Sequence, residues 1–189
     1  LFNKDSSTPL WTYQNDVYPL SVDISYDGST ILYTSEPKIY VFDKLSNVPL
    51  WSASNGCGCT VPSAISDNGE TIVIGNVFAE LKVFSKDSST PIWETSFGDV
   101  FDVDSVAISA DGKYIAAGSF DDKVFFFDKD SSTPLWSYTT GGNVRSVSIS
   151  ADGSLRRYLS EIGQFPILKK DEEYIRSHRR GTTWSFGFR

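Results

Sequence analysis

The sequence predicts an all-β protein built from a repeated unit of about 41 residues, a period typical of repeat architectures. The first observation is a phrase ending in Trp, such as DKDSSTPLW, which occurs at Trp11, Trp51, Trp93 and Trp136. The second is a Ser followed three residues later by Gly, which occurs as Ser25 and Gly28, Ser66 and Gly69, Ser109 and Gly112, and Ser150 and Gly153. Because the Trp phrase and the Ser-to-Gly pair recur in the same order and at similar intervals, the repeat is not a chance similarity.

Each unit divides into four short runs of strand-forming residues. In the clearest unit the runs are 103–109, 113–120, 123–129 and 134–140. They are rich in Val, Ile, Phe, Tyr or Trp and are bounded by Gly, Asp, Ser or Pro, and no helical period of apolar residues appears before residue 153. The unit is therefore predicted as four strands.

Turn-forming residues connect the predicted strands. Asp-Gly, as in Asp111-Gly112, separates the first run from the second and favours a tight hairpin, because it takes positive backbone dihedrals without strain. The KDSSTP segment links the third run to the fourth. Its Pro falls at the start of a strand, where a missing N–H costs least.

A four-stranded unit that cannot bury both faces alone must stack on its neighbours, and radial stacking of such sheets gives a β-propeller. A flat solenoid is the alternative, although solenoid β-repeats are usually shorter. We predict a propeller of four-stranded antiparallel blades over residues 1–154, with about 4 to 5 blades present, incomplete or irregularly closed. The chain starts at Leu1 and has no Met, which we interpret as a fragment of a larger ring whose open strand edges would allow self-association.

Composition excludes several classes of function. The 189 residues are 40% hydrophobic and 14% aromatic, enough for a packed core. With 24 acidic and 17 basic side chains the net charge is −7, which disfavours binding to nucleic acid. No apolar run approaches the length of a membrane span, so we expect no membrane segment in this chain.

The last segment, residues 155–189, departs from the repeat. Aligned on Gly153, the chain places Arg156 and Arg157 where Ile115 and Ala116 stand one unit earlier. One interpretation is a degenerate fifth repeat, eroded in sequence or altered by a reading-frame error.

The alternative for this segment is a partly helical tail. Apolar residues at helical spacing over 155–162, between Ser154 and Gly163, describe a short amphipathic helix. The charge changes as well: residues 1–150 carry 9 basic and 19 acidic side chains, and residues 151–189 carry 8 and 5. A solvated basic face accounts for this excess, and docking on the acidic body is the alternative.

The Trp phrase resembles the pyrroloquinoline-quinone-type propeller repeats, and SADGKYIAAGS at 109–119 has a WD-repeat-like character. In that family an Asp eight residues before the Trp opens the motif. Asp43 with Trp51 and Asp128 with Trp136 keep this distance, whereas the family's Thr-Gly pair is replaced throughout by pairs such as Ser131-Ser132. The resemblance implies that the four repeated Trp residues dock blade on blade, and that the protein comes from a prokaryotic cell envelope or is secreted.

Enzymes of that family bind a quinone with a metal ion and, in several members, use a disulfide between adjacent cysteines. Here Gly58 separates Cys57 from Cys59, and no carboxylate and amide set matches the family's metal ligands. We therefore predict a non-enzymatic module without a cofactor that binds or assembles a partner. The alternative is a fragment of a quinone-dependent or other propeller enzyme whose catalytic residues are missing here.

Loop lengths indicate where a partner would bind. The number of residues from Trp to the next repeated Ser varies, so variation concentrates in the loop after the fourth strand. In propellers this loop shares a face with the loop between the second and third strands, and exposed aromatics among carboxylates suit a protein or peptide. The predicted partner-binding residues of this variable-loop face are Asp16, Tyr18, Asn76, Phe78, Phe97, Asp99, Phe101, Asp121 and Asp122.

Other residues of chemical interest have simpler explanations. Cys57 and Cys59 provide two of the four ligands of a structural zinc site, and free thiols or a local bridge explain them better. Asp99, Asp102 and Asp104 offer oxygens to calcium, but solubilising loop charge explains them better. His178 lacks a partner carboxylate or nucleophile, and Trp184 would at most stack on a carbohydrate.

Overall fold

The computed structural model describes residues 1–15, 18–55, 62–97 and 102–153, together with the backbone of 155–157. None of these residues is helical, and they form three four-stranded antiparallel sheets followed by a two-stranded one. The predicted all-β class and the repeated four-stranded unit are confirmed.

The strands of each full sheet follow one another in chain order. The first sheet contains β1 (Pro19–Ile24), β2 (Thr30–Ser35), β3 (Lys38–Asp43) and β4 (Trp51–Ser54); the second contains β5 (Ser63–Ile65), β6 (Thr71–Gly75), β7 (Glu80–Ser85) and β8 (Trp93–Ser96). The third contains β9 (Val103–Ile108), β10 (Tyr114–Ser119), β11 (Lys123–Asp128) and β12 (Trp136–Thr139), and the short sheet pairs β13 (Val147–Ile149) with β14 (Leu155–Arg157). Each fourth strand begins at the repeated Trp, so the Pro lies two residues before the strand.

The core of the described residues consists of three apolar clusters, each shared by two successive sheets. Leu32, Ile39 and Val41 of the first sheet pack against residues such as Ile72 and Phe84 of the second. In the second sheet, the alternate residues of the same strands face the third sheet. The third sheet in turn packs on β13. Because the inner strands are covered on both faces, they read as nearly continuous apolar runs.

The turn between the first and second strands is wider than a two-residue hairpin. In the third sheet Gly112 donates its N–H to the Ser109 carbonyl at 2.9 Å, and the Ser109 hydroxyl accepts the N–H of Tyr114 at 2.9 Å. The positive φ belongs to Gly112 alone, at 74°, and not to Asp111. The Asp instead accepts hydrogen bonds from the Ser109 hydroxyl at 2.6 Å and from the N–H of Lys113 at 3.0 Å.

The register of β13 and β14 corrects the sequence alignment. Ile149 lies opposite Leu155, as Ile108 lies opposite Ile115 one unit earlier. Leu155 therefore holds the place that the alignment assigned to Arg156, because the connecting turn is one residue shorter. Residues 155–157 form a strand and not the first turn of a helix; the rest of both alternatives for the tail lies outside the described residues.

Candidate functional site

The loops of the variable-loop face are joined by hydrogen bonds that run from one sheet to the next. The Asn55 side-chain amide donates to the Ser35 carbonyl at 3.1 Å. The Asn76 side-chain amide donates to the Asn55 carbonyl at 3.2 Å, and the Asn76 carbonyl accepts the N–H of Val103 at 3.0 Å. This series links the loops of the first, second and third sheets.

Further hydrogen bonds of this kind join the loops at the third sheet. Phe120 donates its N–H to the Asp102 carbonyl at 3.0 Å. With its amide oriented to match its neighbours, Asn143 donates to the Phe120 carbonyl at 2.7 Å and to the Asp122 carboxylate at 3.0 Å. The loops are therefore held by backbone and amide groups.

Asn76 departs from its predicted role at the surface. It is 1% exposed. Its side-chain oxygen accepts the N–H groups of Phe78 at 2.9 Å and Glu80 at 3.0 Å. The side-chain amide of Asn76 stabilises the loop between β6 and β7. Asn76 therefore supports the variable-loop face but is not accessible to a partner.

Phe97 also lies against the fold. Its ring stacks on Phe125 with centroids 4.2 Å apart and an interplanar angle of 19°, and it packs on the cluster between the second and third sheets. The N–H of Phe97 donates to the Ala79 carbonyl at 3.0 Å. We assign Phe97 to the core that supports the face.

Among the described residues of the variable-loop face, three aromatic rings are exposed. Phe78 is 59% exposed in the loop before β7, and Phe120 is 51% exposed in the equivalent region before β11. Tyr18, just before β1, is also exposed. Phe120 is not among the predicted partner-binding residues, and the fold places it in the loop equivalent to that of Phe78.

The acidic residues beside Phe120 are held in place locally. Asp121 forms an ion pair with Lys123 at 3.0 Å. Asp122 adopts a positive φ of 58°, and its carbonyl accepts the Thr140 hydroxyl at 2.8 Å. The two carboxylates therefore lie at fixed positions next to an exposed ring.

The described part of the chain holds no group of three or more His, Cys, Asp or Glu side chains arranged to bind a metal ion. Of the calcium candidates, Asp102 and Asp104 are described. Burial, and then the charge of Asp102, raise the pKa of Asp104, whereas Arg145 opposes this shift. Several predicted residues lie outside the described residues: Asp16, Cys57, Cys59, Asp99, Phe101, His178 and Trp184.

The repeated Trp residues contact the following sheet. The indole N–H groups of Trp11, Trp51 and Trp93 donate to the carbonyls of Lys44, Lys86 and Lys129 at 2.8, 2.6 and 2.6 Å. The same three rings lie 5.4 to 5.6 Å from Phe42, Phe84 and Phe127. Trp136 stacks on Phe126 of its own sheet at 5.0 Å.

A cavity of about 600 Å³ lies on the first sheet, and its lining extends to Pro19, next to Tyr18. Its wall includes Trp11, Tyr13 and Tyr33, and burial followed by the neighbouring Tyr40 raises the pKa of Tyr13. The signal in the sequence was the presence of Tyr33 and Tyr40 at places where the second sheet has Ile74 and Lys82. Sequence reasoning did not identify this cavity.

The class of protein that these observations define is an all-β protein of repeated four-stranded antiparallel sheets. The model of the family Sigma-70 factor, region 1.2, matches residues 153–179 of the chain. No curated protein matches the sequence. No helix long and apolar enough to cross a membrane occurs within the described ranges.

The assignment to the pyrroloquinoline-quinone-type and WD-repeat families is wrong. The family match is to a sigma-70 segment that begins at Gly153, the last of the repeated Gly residues, and neither repeat family was found. The Trp phrase owes its similarity to local turn chemistry: Asp128 accepts the N–H of Asp130, and the Ser131 hydroxyl accepts the N–H of Thr133. Any turn of this geometry favours the same Asp, Ser and Thr residues.

Proposed function

We propose that this chain is a non-enzymatic repeat module that binds a protein or peptide on its variable-loop face. The observation that carries the proposal is the exposure of Phe78 and Phe120 at corresponding loops of neighbouring sheets. Large exposed aromatics on an ordered surface are typical anchors of protein interfaces.

The finer architecture is part of the same proposal: the sheets are successive blades of a β-propeller. Each full sheet has the same strand order, and successive sheets pack on each other through their apolar faces. Radial stacking of four-stranded sheets satisfies this pattern. It would bring the loops before β3, β7 and β11 to one rim.

The hydrogen bonds between loops favour binding on this rim. Asn76 and Asn143 tie their loops to neighbouring segments, so little conformational entropy would be lost when a partner binds. Asp122 places negative charge beside Phe120, whereas Lys123 balances the charge of Asp121. The partner surface is therefore expected to combine an apolar anchor with Lys or Arg side chains.

A displayed library of random peptides tests the proposal with the full chain as bait. We expect selected peptides that are rich in Lys, Arg and apolar residues, and at least tenfold weaker binding to a chain carrying Phe78→Ser and Phe120→Ser. The matched control is Leu135→Ser, an exposed apolar residue in the turn before β12. Equal binding to both variants, or no enrichment of peptides, would contradict the proposal.

A second candidate rests on the family match. In this candidate, residues 153–179 have the same role as the matching segment, region 1.2, of a sigma-70 factor. The repeat module serves to carry this segment. Tyr158→Ala with Leu159→Ala, within the matched residues, separates the two candidates. Peptide binding that is lost in this variant and kept in the double Phe variant would favour the second candidate.

A further inference from the structure

One turn of the repeat carries Asn where its neighbours carry Asp. The residue before the repeated Gly is Asp27 in the first sheet, Asn68 in the second and Asp111 in the third. In each sheet one side-chain oxygen of this residue accepts the hydroxyl of the repeated Ser and the backbone N–H two residues further on. Asp and Asn both provide such an oxygen, so the hydrogen bonds inside the turn do not require the amide of Asn68.

Asn68 is followed by Gly69, and an Asn-Gly pair is chemically labile. The backbone nitrogen of the Gly attacks the side-chain carbonyl carbon of the Asn, because a Gly has no Cβ to shield this nitrogen. The new N–C bond closes a succinimide ring, and the side-chain amide takes up the proton of the Gly nitrogen and leaves as ammonia. Water then opens the ring at one of its two carbonyls and leaves aspartate or isoaspartate at position 68.

The folded turn restrains both reacting groups. The Gly69 N–H donates to the Ser66 carbonyl at 2.8 Å, and the Ser66 hydroxyl donates to the Asn68 side-chain oxygen at 2.6 Å. The same oxygen accepts the N–H of Glu70 at 3.0 Å, and the amide nitrogen of Asn68 donates to the Asp111 carbonyl at 3.1 Å. Ring closure requires the side chain to leave this position, so these hydrogen bonds have to break first.

The two reacting groups also differ in their exposure. The Asn68 side chain is exposed, whereas Gly69 is buried against the first sheet. A Cβ at Gly69 would lie 2.7 Å from the Thr30 hydroxyl, which shows how closely the first sheet approaches this residue. The amide is therefore accessible to water, but the attacking nitrogen becomes accessible only when the contact between the two sheets opens.

We propose that Asn68 is a site of spontaneous deamidation that is blocked in the folded chain and reacts when its turn opens. Local opening of this kind has its own free energy, which is lower than or equal to that of global unfolding. The extent of deamidation at Asn68 then records how often the second sheet separates from its neighbours. The proposal does not depend on the function proposed for the variable-loop face.

The turn can accept the aspartate product of this reaction. Aspartate at position 68 reproduces the turns of Asp27 and Asp111, which use a carboxylate oxygen for the same hydrogen bonds. The product loses only the donor to the Asp111 carbonyl. We therefore expect Asn68→Asp to keep the far-ultraviolet circular dichroism of the wild-type chain, and loss of the strand signal in this variant would contradict the match between the turns.

Peptide mapping by mass spectrometry measures the reaction at Asn68 in the full-length chain at mildly alkaline pH. The exchange of NH for O identifies the product. We expect deamidation to be roughly tenfold or more slower in native buffer than in concentrated urea, because urea removes the turn. Equal rates in the two solvents, or no reaction of Asn68 in urea, would overturn the proposal.

A second Asn-Gly pair, Asn55-Gly56, provides an internal reference for the urea experiment. Gly56 lies outside the described residues, so the proposal concerns Asn68 alone. In urea both pairs lack structure and should react at similar rates. A much slower reaction of Asn68 than of Asn55 in urea would mean that the sequence around Asn68, and not its turn, protects it, and would contradict the proposal.

Ser66→Ala tests the turn directly, because it removes the hydroxyl that donates to Asn68 and accepts the N–H of Thr71. Ser25→Ala makes the same change beside Asp27 in the first sheet and is the matched control. In native buffer we expect Asn68 to deamidate about fivefold or more faster in Ser66→Ala than in Ser25→Ala, with equal rates in urea. Circular dichroism verifies that both variants keep their strands. Equal rates in native buffer would contradict control by this turn.

Discussion

The indole nitrogen of Trp51 lies 2.6 Å from the carbonyl oxygen of Lys86, and this hydrogen bond ties the last strand of the first sheet to a turn of the second. Trp93 and Lys129 repeat the bond one unit later, also at 2.6 Å. Each Trp thus fills apolar space against the next sheet while its single N–H is satisfied. The contact explains why Trp, and not another aromatic residue, recurs at this position.

Replacing Trp93 by Phe should destabilise the protein by about 1 to 3 kcal/mol, because the Lys129 carbonyl loses its donor and part of the ring contact disappears. The free energy of unfolding in urea measures the loss. Leu135→Ala, at an exposed site, is the control and should change it by less than about 0.5 kcal/mol. Equal effects of the two substitutions would contradict the proposed importance of the indole bond.

Two glycines with nearly the same backbone provide a matched pair. Gly28 and Gly112 have φ values of 70° and 74°, but a Cβ at Gly112 would lie 2.5 Å from the Thr71 hydroxyl, whereas at Gly28 the nearest atom, of Ile24, is 3.9 Å away. Gly28→Ala should cost about 1 to 2 kcal/mol from the left-handed backbone alone. Gly112→Ala should cost about 1 to 3 kcal/mol more through crowding.

Thermal unfolding monitored by circular dichroism distinguishes the two glycine variants. A lower melting temperature for Gly112→Ala than for Gly28→Ala is the expected order. The reverse order would mean that the sheets do not approach at this turn as described.

Acid should weaken the turn that contains Asp27. Hydrogen bonds from the Ser29 N–H and the Ser25 hydroxyl lower the pKa of Asp27 from 3.8 to about 2. A carboxyl whose pKa is lower in the folded state stabilises the fold above its unfolded pKa, and this contribution is lost as the pH falls toward the folded pKa. Stability should therefore decline between about pH 3.8 and about pH 2.

The midpoint of urea unfolding, followed through this acidic range, measures the decline. In Asp27→Asn the decline should be smaller, and Asp111 should contribute to the part that remains, since a hydrogen bond from Ser109 lowers its pKa too. An unchanged pH profile in the Asp27→Asn variant would refute the role of this carboxylate.

Phe97 and Phe78 should differ in what their loss affects. Phe97→Ala removes a ring stacked on Phe125 and should cost about 3 kcal/mol of stability. Phe78→Ala removes an exposed ring and should change stability by less than about 0.5 kcal/mol. Urea unfolding of both variants tests whether Phe97 supports the fold while Phe78 lies only at the surface. Equal losses in the free energy of unfolding would contradict this assignment.

Much of the local structure could be predicted from residue types. The strands of 103–140 and the turns that separate them follow from apolar runs and from Ser, Asp and Gly at fixed spacing. The sequence placed both Phe78 and Asn76 at the exposed face, and the burial of Asn76 could not be predicted, because both residues lie in the same loop. Only the neighbouring strands decide which of the two side chains has room beneath the loop.

The sequence by itself determined the repeated four-stranded unit, because strand periodicity and turn chemistry act over a few residues and recur with each unit. The tertiary structure alone decided that Ile24 is open where Ile65 is covered, since burial depends on which sheet lies alongside. It also decided that Leu155, and not Arg156, lies in register with Ile115, because the hydrogen bonds between strands determine how many residues a turn takes up.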